Sequence, residues 1–490
     1  MKEKCGLFGI LTSDDTFDNL SFVVKGLQYL QHRGEESCGI AYHDGNAYDD
    51  GSLNCITGLG LVKEVFQDYI KSELQDQSQN QGQSQGQGQM QMQKHNINKC
   101  IGHVRYSTSG KSKLDIDAKK QECQPLYGTC KFGDFYLAHN GNVPGLQEHD
   151  TQYIINFIQN SAINASSWIE VLSSLVESIP AAYCLLILTK NELFAVRDRY
   201  GIRPLCIGCA GHGPDYGHGY CFASESCALQ HYNYVRDVLP GEVISVSKIQ
   251  LESLYVSPNS SPHICAFECI YFMNENSLCN GYVVRELRER LGAALAMKQK
   301  RTVDSDEANT IVVGIPNSGI ASAKKYAEVL GIPYVQAIKK NPNIGRTFIA
   351  SNDTERKKKC KEKFVFVSSE IRGRKLVIVD DTIVRGNVMT AIVASLFEFG
   401  AVEVHIRIPA PPVVNICSLG IDIPSQEELI AFQFQKKYSD IAAKLNATSV
   451  DYLACEDLDD ILQFPTYKEC FLSNEDGAGN GNDWLDGLMV

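Results

Sequence analysis

The chain has 490 residues, too many for one hydrophobic core, and its 44% hydrophobic content is enough to build two. Its 46 basic against 58 acidic residues leave a net charge of -12, which excludes wholesale nucleic-acid binding but not a local basic pocket for a phosphate. No run of about 18 apolar residues and no signal-peptide core occur, so a soluble, cytoplasmic protein without a membrane partner is expected.

The chain begins MKEKCGLFGI, a cysteine followed by an apolar run that reads as a strand. Two readings of Cys5 are open on these residues. It is a small buried hydrophobe, or residues 1–4 are a propeptide whose removal leaves a thiol and a free α-amine on one residue. Further along, residues 75–95 hold a tract with glutamine at every second position, which lacks the apolar surface to fold and is expected to be a disordered insert. A helical pattern over 154–175 is followed by short strands such as YCLLILT, ELFAVRD and EVISVSK, so residues 5–255 read as a strand-rich α+β unit. SPNSSPH at 257–263 reads as a linker.

From about residue 310 the pattern changes. TIVVGIP, KLVIVDD and VEVHIRI are buried-strand runs separated by helical segments, the signature of a parallel α/β domain expected over 256–455, with 456–490 as a tail. KLVIVDDTIVRGN (375–387) ends a strand on Asp380 and Asp381, then opens a helix through Gly386. Ligands bind at the carboxyl ends of parallel strands, and a Gly-containing loop at a helix N-terminus presents amides to a phosphate. The paired carboxylates suit the hydroxyls of a ribose and can also hold Mg2+. The plainer alternative is a turn with a helix cap.

KLVIVDDTIVRGN resembles the phosphoribosylpyrophosphate motif of type I phosphoribosyltransferases. The resemblance implies that Arg385 and Gly386 join the acidic pair around the ligand. It also makes Ser318 in GIPNSGIASAKKYA a Mg2+ or diphosphate contact, and Lys340 and Arg346 in KKNPNIGRTFI the cations of a closing loop. QHRGEESCGI (31–40), GHVRYSTSG (102–110), AHNGN (138–142), RDRYGIRPL (197–205) and FASES (222–226) resemble, in that order, class II glutamine amidotransferase domains. Those are N-terminal-nucleophile hydrolases of four-layer αββα fold. By that resemblance Cys5 is the nucleophile, Asn140 and the Gly141 amide form the oxyanion hole, and Arg105 and Asp150 bind the α-carboxylate and α-ammonium of glutamine.

Together the two sets resemble the glutamine phosphoribosylpyrophosphate amidotransferases. The family implies the first committed step of purine synthesis, with glutamine and phosphoribosylpyrophosphate as substrates and ammonia channelled between two sites. It further implies purine nucleotide inhibitors and a homodimer or homotetramer. Some positions depart from the family pattern. NVMT follows VRG where a Thr-Thr-Ser type sequence is usual, PNS replaces PDS, and KNPN replaces KNRY.

One branch of the family holds a 4Fe-4S cluster on four cysteines. Cys265, Cys417 and Cys470 occupy matching places, but Tyr467 stands where the fourth is expected. CIGCAGHGPDYGHGYC (206–221) has zinc-like spacing, though the resemblance puts it in a hairpin.

Overall fold

The computed structural model describes residues 5–12, 19–44, 51–67, 70, 97–106, 116–146, 149–209, 219–230, 232–247, 250–299, 309–341, 363–419 and 425–472. The expected propeptide, the glutamine-rich tract and Arg346 lie outside these residues.

The amino-terminal half builds two facing β-sheets. The first has seven strands and carries Gly6–Thr12 near its centre, between Gly219–Ala223 and Lys99–Arg105. The second has six strands and carries Gly133–Asn142 next to Ala182–Thr189. Leu7, Leu11, Ile101, Leu186 and Phe222 fill the space between the sheets. The helix Asn19–Tyr29 covers the outer face of the first sheet, and helices Asp150–Ala162 and Trp168–Ser178 cover that of the second. This is the expected four-layer αββα order. Strands buried on both faces explain why YCLLILT is a continuous apolar run rather than an alternating one.

The helix expected over 154–175 is two helices. Ser167 ends the first pattern by capping the second helix: its side chain accepts from the Glu170 amide, while Glu170 accepts from the Ser166 amide at 2.7 Å. The zinc-like segment forms a hairpin, Cys206–Cys209 against Gly219–Ala223, as expected, with its two histidines outside the described residues.

The linker is not loose. The amides of Ser261, His263 and Cys265 donate to the carbonyls of Arg199, Tyr200 and Ile202, so it runs alongside the first domain as an extra strand would.

The second domain is centred on a four-stranded parallel sheet, Thr310–Gly314, Lys375–Val379, Glu403–Ile408 and Ser449–Tyr452 in the order 310, 375, 403, 449. Helices Gly319–Leu330 and Asn387–Glu398 follow the first two strands. The tail expected from residue 456 needs correction. Leu458, Leu462, Tyr467, Cys470 and Phe471 are buried in this domain's core, and Thr466–Tyr467 pairs in parallel with Ile264–Cys265. Burying these apolar residues packs the described part of the segment, residues 456–472, against the domain.

Candidate active site

Cys5 is buried at the head of the strand Gly6–Thr12, and its carbonyl accepts from Arg33 Nε at 3.0 Å. Gly6 pairs with Val104, which brings the end of the neighbouring strand, Arg105, beside the Cys5 thiol. Gly34 permits this approach, since a Cβ there would sit 2.5 Å from the Arg105 carbonyl carbon. The glycine of QHRG is therefore a packing requirement.

On the facing sheet Asn140 is buried, and its Nδ2 has no hydrogen-bond partner among the described residues. A buried amide left unpaired in this way is costly unless a ligand satisfies it. Gly141 is equally constrained: a Cβ would lie 2.0 Å from the Ala182 carbonyl oxygen. His103 bridges the two sheets at this level, with Nε2 3.1 Å from the His139 carbonyl. Burial, together with the Arg105 charge, pushes His103 down to about 3, so it stays neutral. Asp150 opens the helix Asp150–Ala162, its Oδ1 3.8 Å from His139 Nδ1. The described residues thus bring Cys5 beside Arg105, and Asp150 beside His139, the residue that precedes Asn140 on its strand, with His103 reaching the His139 carbonyl from the first sheet.

Arg105 is not idle. It donates to Glu122 Oε2 at 2.5 Å and to the Glu122 carbonyl at 3.2 Å. Burial works against its charge, but Glu122, Cys5 and Glu36 outweigh it and raise the guanidinium pKa.

At the second site Asp380 and Asp381 follow the strand Lys375–Val379. Burial and mutual repulsion raise Asp380 well above the usual carboxylate range; burial also raises Asp381, partly offset by the Ser318 hydroxyl. Asp381 Oδ2 is buried without a hydrogen-bond partner. Two adjoining carboxylates that repel one another, with an unsatisfied oxygen, fit a divalent cation. Gly319 lets the Ser318 loop close on this pair, since a Cβ there would meet the Val379 carbonyl oxygen at 2.5 Å.

Gly386 is at φ +79° as the cap of Asn387–Glu398, a left-handed conformation that favours glycine. The NVMT threonine, Thr390, spends its hydroxyl on the Gly386 carbonyl at 3.0 Å. Thr382 instead holds a buried hydroxyl with no partner beside the acidic pair. Arg385 is exposed and paired with Glu428. Lys340 lines a cleft of about 430 Å³ with Asn317, Lys324, Tyr334 and Lys339.

The three cysteines expected at a cluster do converge. Cys265, Cys417 and Cys470 interact with one another, and Tyr467 pairs with Cys265 across the short parallel bridge. Tyr467 is no thiolate, and its hydroxyl is committed to Glu469 and to the Leu419 amide. Among the described residues no group of three or more His, Cys, Asp or Glu is arranged to hold a metal ion. These residues do not fit a four-thiolate cluster.

Sequence reasoning passed over Arg33, Glu225, Glu268, His103 and His139. Arg33, His103, His139 and Glu225 lie within QHRGEESCGI, GHVRYSTSG, AHNGN and FASES, and His103 also stands inside the apolar run KCIGHVR, where a buried polar residue must have a partner. Glu225 Oε1 accepts from Arg33 Nη1 at 2.6 Å, and Glu225 Oε2 from the Asn274 amide and Ser277 hydroxyl. Residues 271–277 (YFMNENS) of the second domain are thereby attached to the Arg33–Glu225 pair behind Cys5.

A phosphoribosyl transferase domain model matches residues 285–410, and a glutamine amidotransferase domain model matches 111–231. The chain is similar to the amidophosphoribosyltransferase of Mus musculus, 33% identical over 99% of this chain and 95% of that one. It is also similar to that of Pyrococcus horikoshii, 36% identical over 92% of each. Among solved structures, glutamine phosphoribosylpyrophosphate amidotransferase from B. subtilis, complexed with ADP and GMP, superposes with a TM-score of 0.76 at 31% identity, covering 95% of this chain and 94% of that one. No helix among the described residues is long and apolar enough to cross a membrane.

Proposed function

Because the chain belongs to the amidophosphoribosyltransferase family, we propose that its two sites divide one reaction between them, with Cys5 serving the first half and the Asp380–Asp381 loop the second. The reaction converts glutamine and phosphoribosylpyrophosphate to glutamate, 5-phosphoribosylamine and pyrophosphate, the first committed step of purine synthesis.

In the first half the Cys5 sulfur attacks the side-chain amide carbon of glutamine. Its own α-amine takes the thiol proton and returns it to the departing ammonia, which requires removal of residues 1–4. The carbonyl oxygen becomes an oxyanion held by Asn140 Nδ2 and the Gly141 amide, a contribution of about 3 kcal/mol per donor. Arg105 and Asp150 hold the α-carboxylate and α-ammonium as charged hydrogen bonds, which selects an amino acid over a simple amide. Water then hydrolyses the thioester to glutamate.

In the second half ammonia, delivered internally, forms a bond to C1 of the phosphoribosyl group as the bond to pyrophosphate breaks. Asp380, Asp381 and Ser318 would hold Mg2+, which when bound neutralises charge on the leaving group. Gly386 and the first amides of Asn387–Glu398 receive the 5-phosphate, while Arg385 flanks that loop. Lys340 and Arg346 supply cations toward the pyrophosphate. Purine nucleotide inhibitors, a homodimer or homotetramer and a cytoplasmic setting complete the proposal; ADP and GMP in the B. subtilis structure support the first of these.

The observation that carries the glutamine half is the buried, unpartnered Asn140 amide on the sheet facing Cys5. The test is intact mass and activity of the processed protein against Cys5→Ala. Cys5→Ala is expected to abolish glutamine-dependent pyrophosphate release and keep the ammonia-dependent reaction. Equal glutamine-dependent activity in both proteins overturns the assignment of Cys5.

A further inference from the structure

The oxyanion segment is held from one side only by its sheet. From Phe135 to Asn142 the strand pairs with Ala182–Thr189, but its other neighbour, Leu126–Cys130, stops at the pair Leu126 and Leu137. Beyond Leu137 the open edge is held by side chains. Gln124 Oε1 accepts from the His139 amide at 2.7 Å, and His103 contacts the His139 carbonyl. The last hold comes from the other domain: Asn142 Nδ2 donates to the Ser418 carbonyl at 2.9 Å.

Ser418 is fixed in turn by one carboxylate. Glu469 Oε2 accepts from the Ser418 amide at 2.7 Å, and Oε1 from the Ser418 hydroxyl at 2.9 Å. Tyr467 donates its hydroxyl to the same carboxylate and accepts from the Leu419 amide at 3.1 Å. Tyr467 is itself buried and set by its pairing with Cys265. The place where a cluster does not fit is thus occupied by hydrogen bonds that end on the strand carrying Asn140 and Gly141.

We propose that Glu469 is a positioning residue for glutamine hydrolysis, bracing the oxyanion strand from the second domain through Ser418 and Asn142, with Tyr467 orienting its carboxylate. An oxyanion donor must sit within a fraction of an ångström of the developing charge, so loosening the strand end lowers the rate of chemistry more than the binding of substrate. The proposal rests on Asn140 and Gly141 forming the oxyanion hole.

The test uses the processed full chain. Glu469→Ala and Asn142→Ala are each expected to lower kcat for glutamine hydrolysis about 10- to 100-fold. KM for glutamine is expected to stay within about 2-fold, and ammonia-dependent pyrophosphate release to be unchanged. Since the two act through one relay, the double variant is expected to be no worse than the poorer single variant. Additive losses, or an equal loss of the ammonia-dependent reaction, overturn the proposal. If Glu469→Ala does not fold, Asn142→Ala decides alone, and an unchanged kcat there overturns it. Asn140→Ala separates the two levels. If it keeps full kcat, the oxyanion assignment fails. If it collapses kcat while Glu469→Ala and Asn142→Ala do not, only the bracing role fails.

Discussion

Arg33 and Glu268 meet as a two-pronged ion pair across the domain boundary, Nη2 2.9 Å from Oε1 and Nη1 3.0 Å from Oε2, with both side chains fully buried. Burial works against the Glu225 charge, but His32 and Arg33 overcome it and hold Glu225 well below the usual carboxylate range. Removing Glu268 leaves Arg33 with Glu225 alone and takes the 3.5 Å carboxylate contact from buried Arg203. Glu268→Ala is therefore expected to destabilise by about 3–5 kcal/mol, read as a lower urea midpoint. A change under about 1 kcal/mol would mean that the pair is replaceable by water.

Asn140→Ala separates stability from activity. It removes a buried amide nitrogen that nothing among the described residues satisfies, so the thermal midpoint is expected to hold or rise. Glutamine-dependent kcat is expected to fall about 100- to 1,000-fold. A parallel fall in melting temperature would point to a structural role instead.

Gly386→Ala places a Cβ at φ +79° and 2.9 Å from Ile430 Cδ1. The backbone strain costs about 1–2 kcal/mol, and the loop must shift at the phosphate end of the helix. We expect a raised KM for phosphoribosylpyrophosphate with glutamine hydrolysis intact. An unchanged KM would remove Gly386 from the binding loop.

Two buried groups give opposite pH dependence. His103 is near 3 in the folded chain and about 6.5 in the unfolded one, so between those values only the unfolded chain binds the proton. Stability from this group is complete above about 6.5 and falls about 1.4 kcal/mol per pH unit as pH drops toward 3. Burial lifts Asp198 to about 6, against about 3.9 unfolded, so its contribution is complete below about 3.9 and lost as pH rises through 6. From about pH 4 to 6 the two slopes oppose one another in the parent, so stability is expected to fall with rising pH in His103→Gln and to rise with it in Asp198→Asn. The same slope in all three proteins would contradict both assignments.

Asp381→Asn removes the repulsion that burial imposes on the acidic pair. Its melting temperature is expected to rise while pyrophosphate release falls at least about 100-fold, and chelation of Mg2+ should reproduce the loss in the parent. Retained release after either treatment would dissociate the pair from the reaction.

The αββα and parallel α/β folds were legible because long buried strands and glycine loops leave few alternatives in sequence. Gly141 and Gly386 are examples, where backbone contact or a left-handed φ forbids a side chain. The helix break at 163–167 was less visible, because a Ser cap inside an otherwise amphipathic pattern is a local signal. The fate of 456–472 was hidden for another reason: its apolar residues carry no sign of the core they fill.

The sequence by itself determined the family and the order of its two folds, since the motifs and the tight backbone approaches admit few substitutes. Only the tertiary structure decided what holds those residues in place. Arg33 and Glu268 lie 235 positions apart, and Asn142 and Ser418 lie 276 apart. A charge or amide acquires its need for a partner only when packing removes it from water, and that partner is chosen by the fold rather than by spacing along the chain.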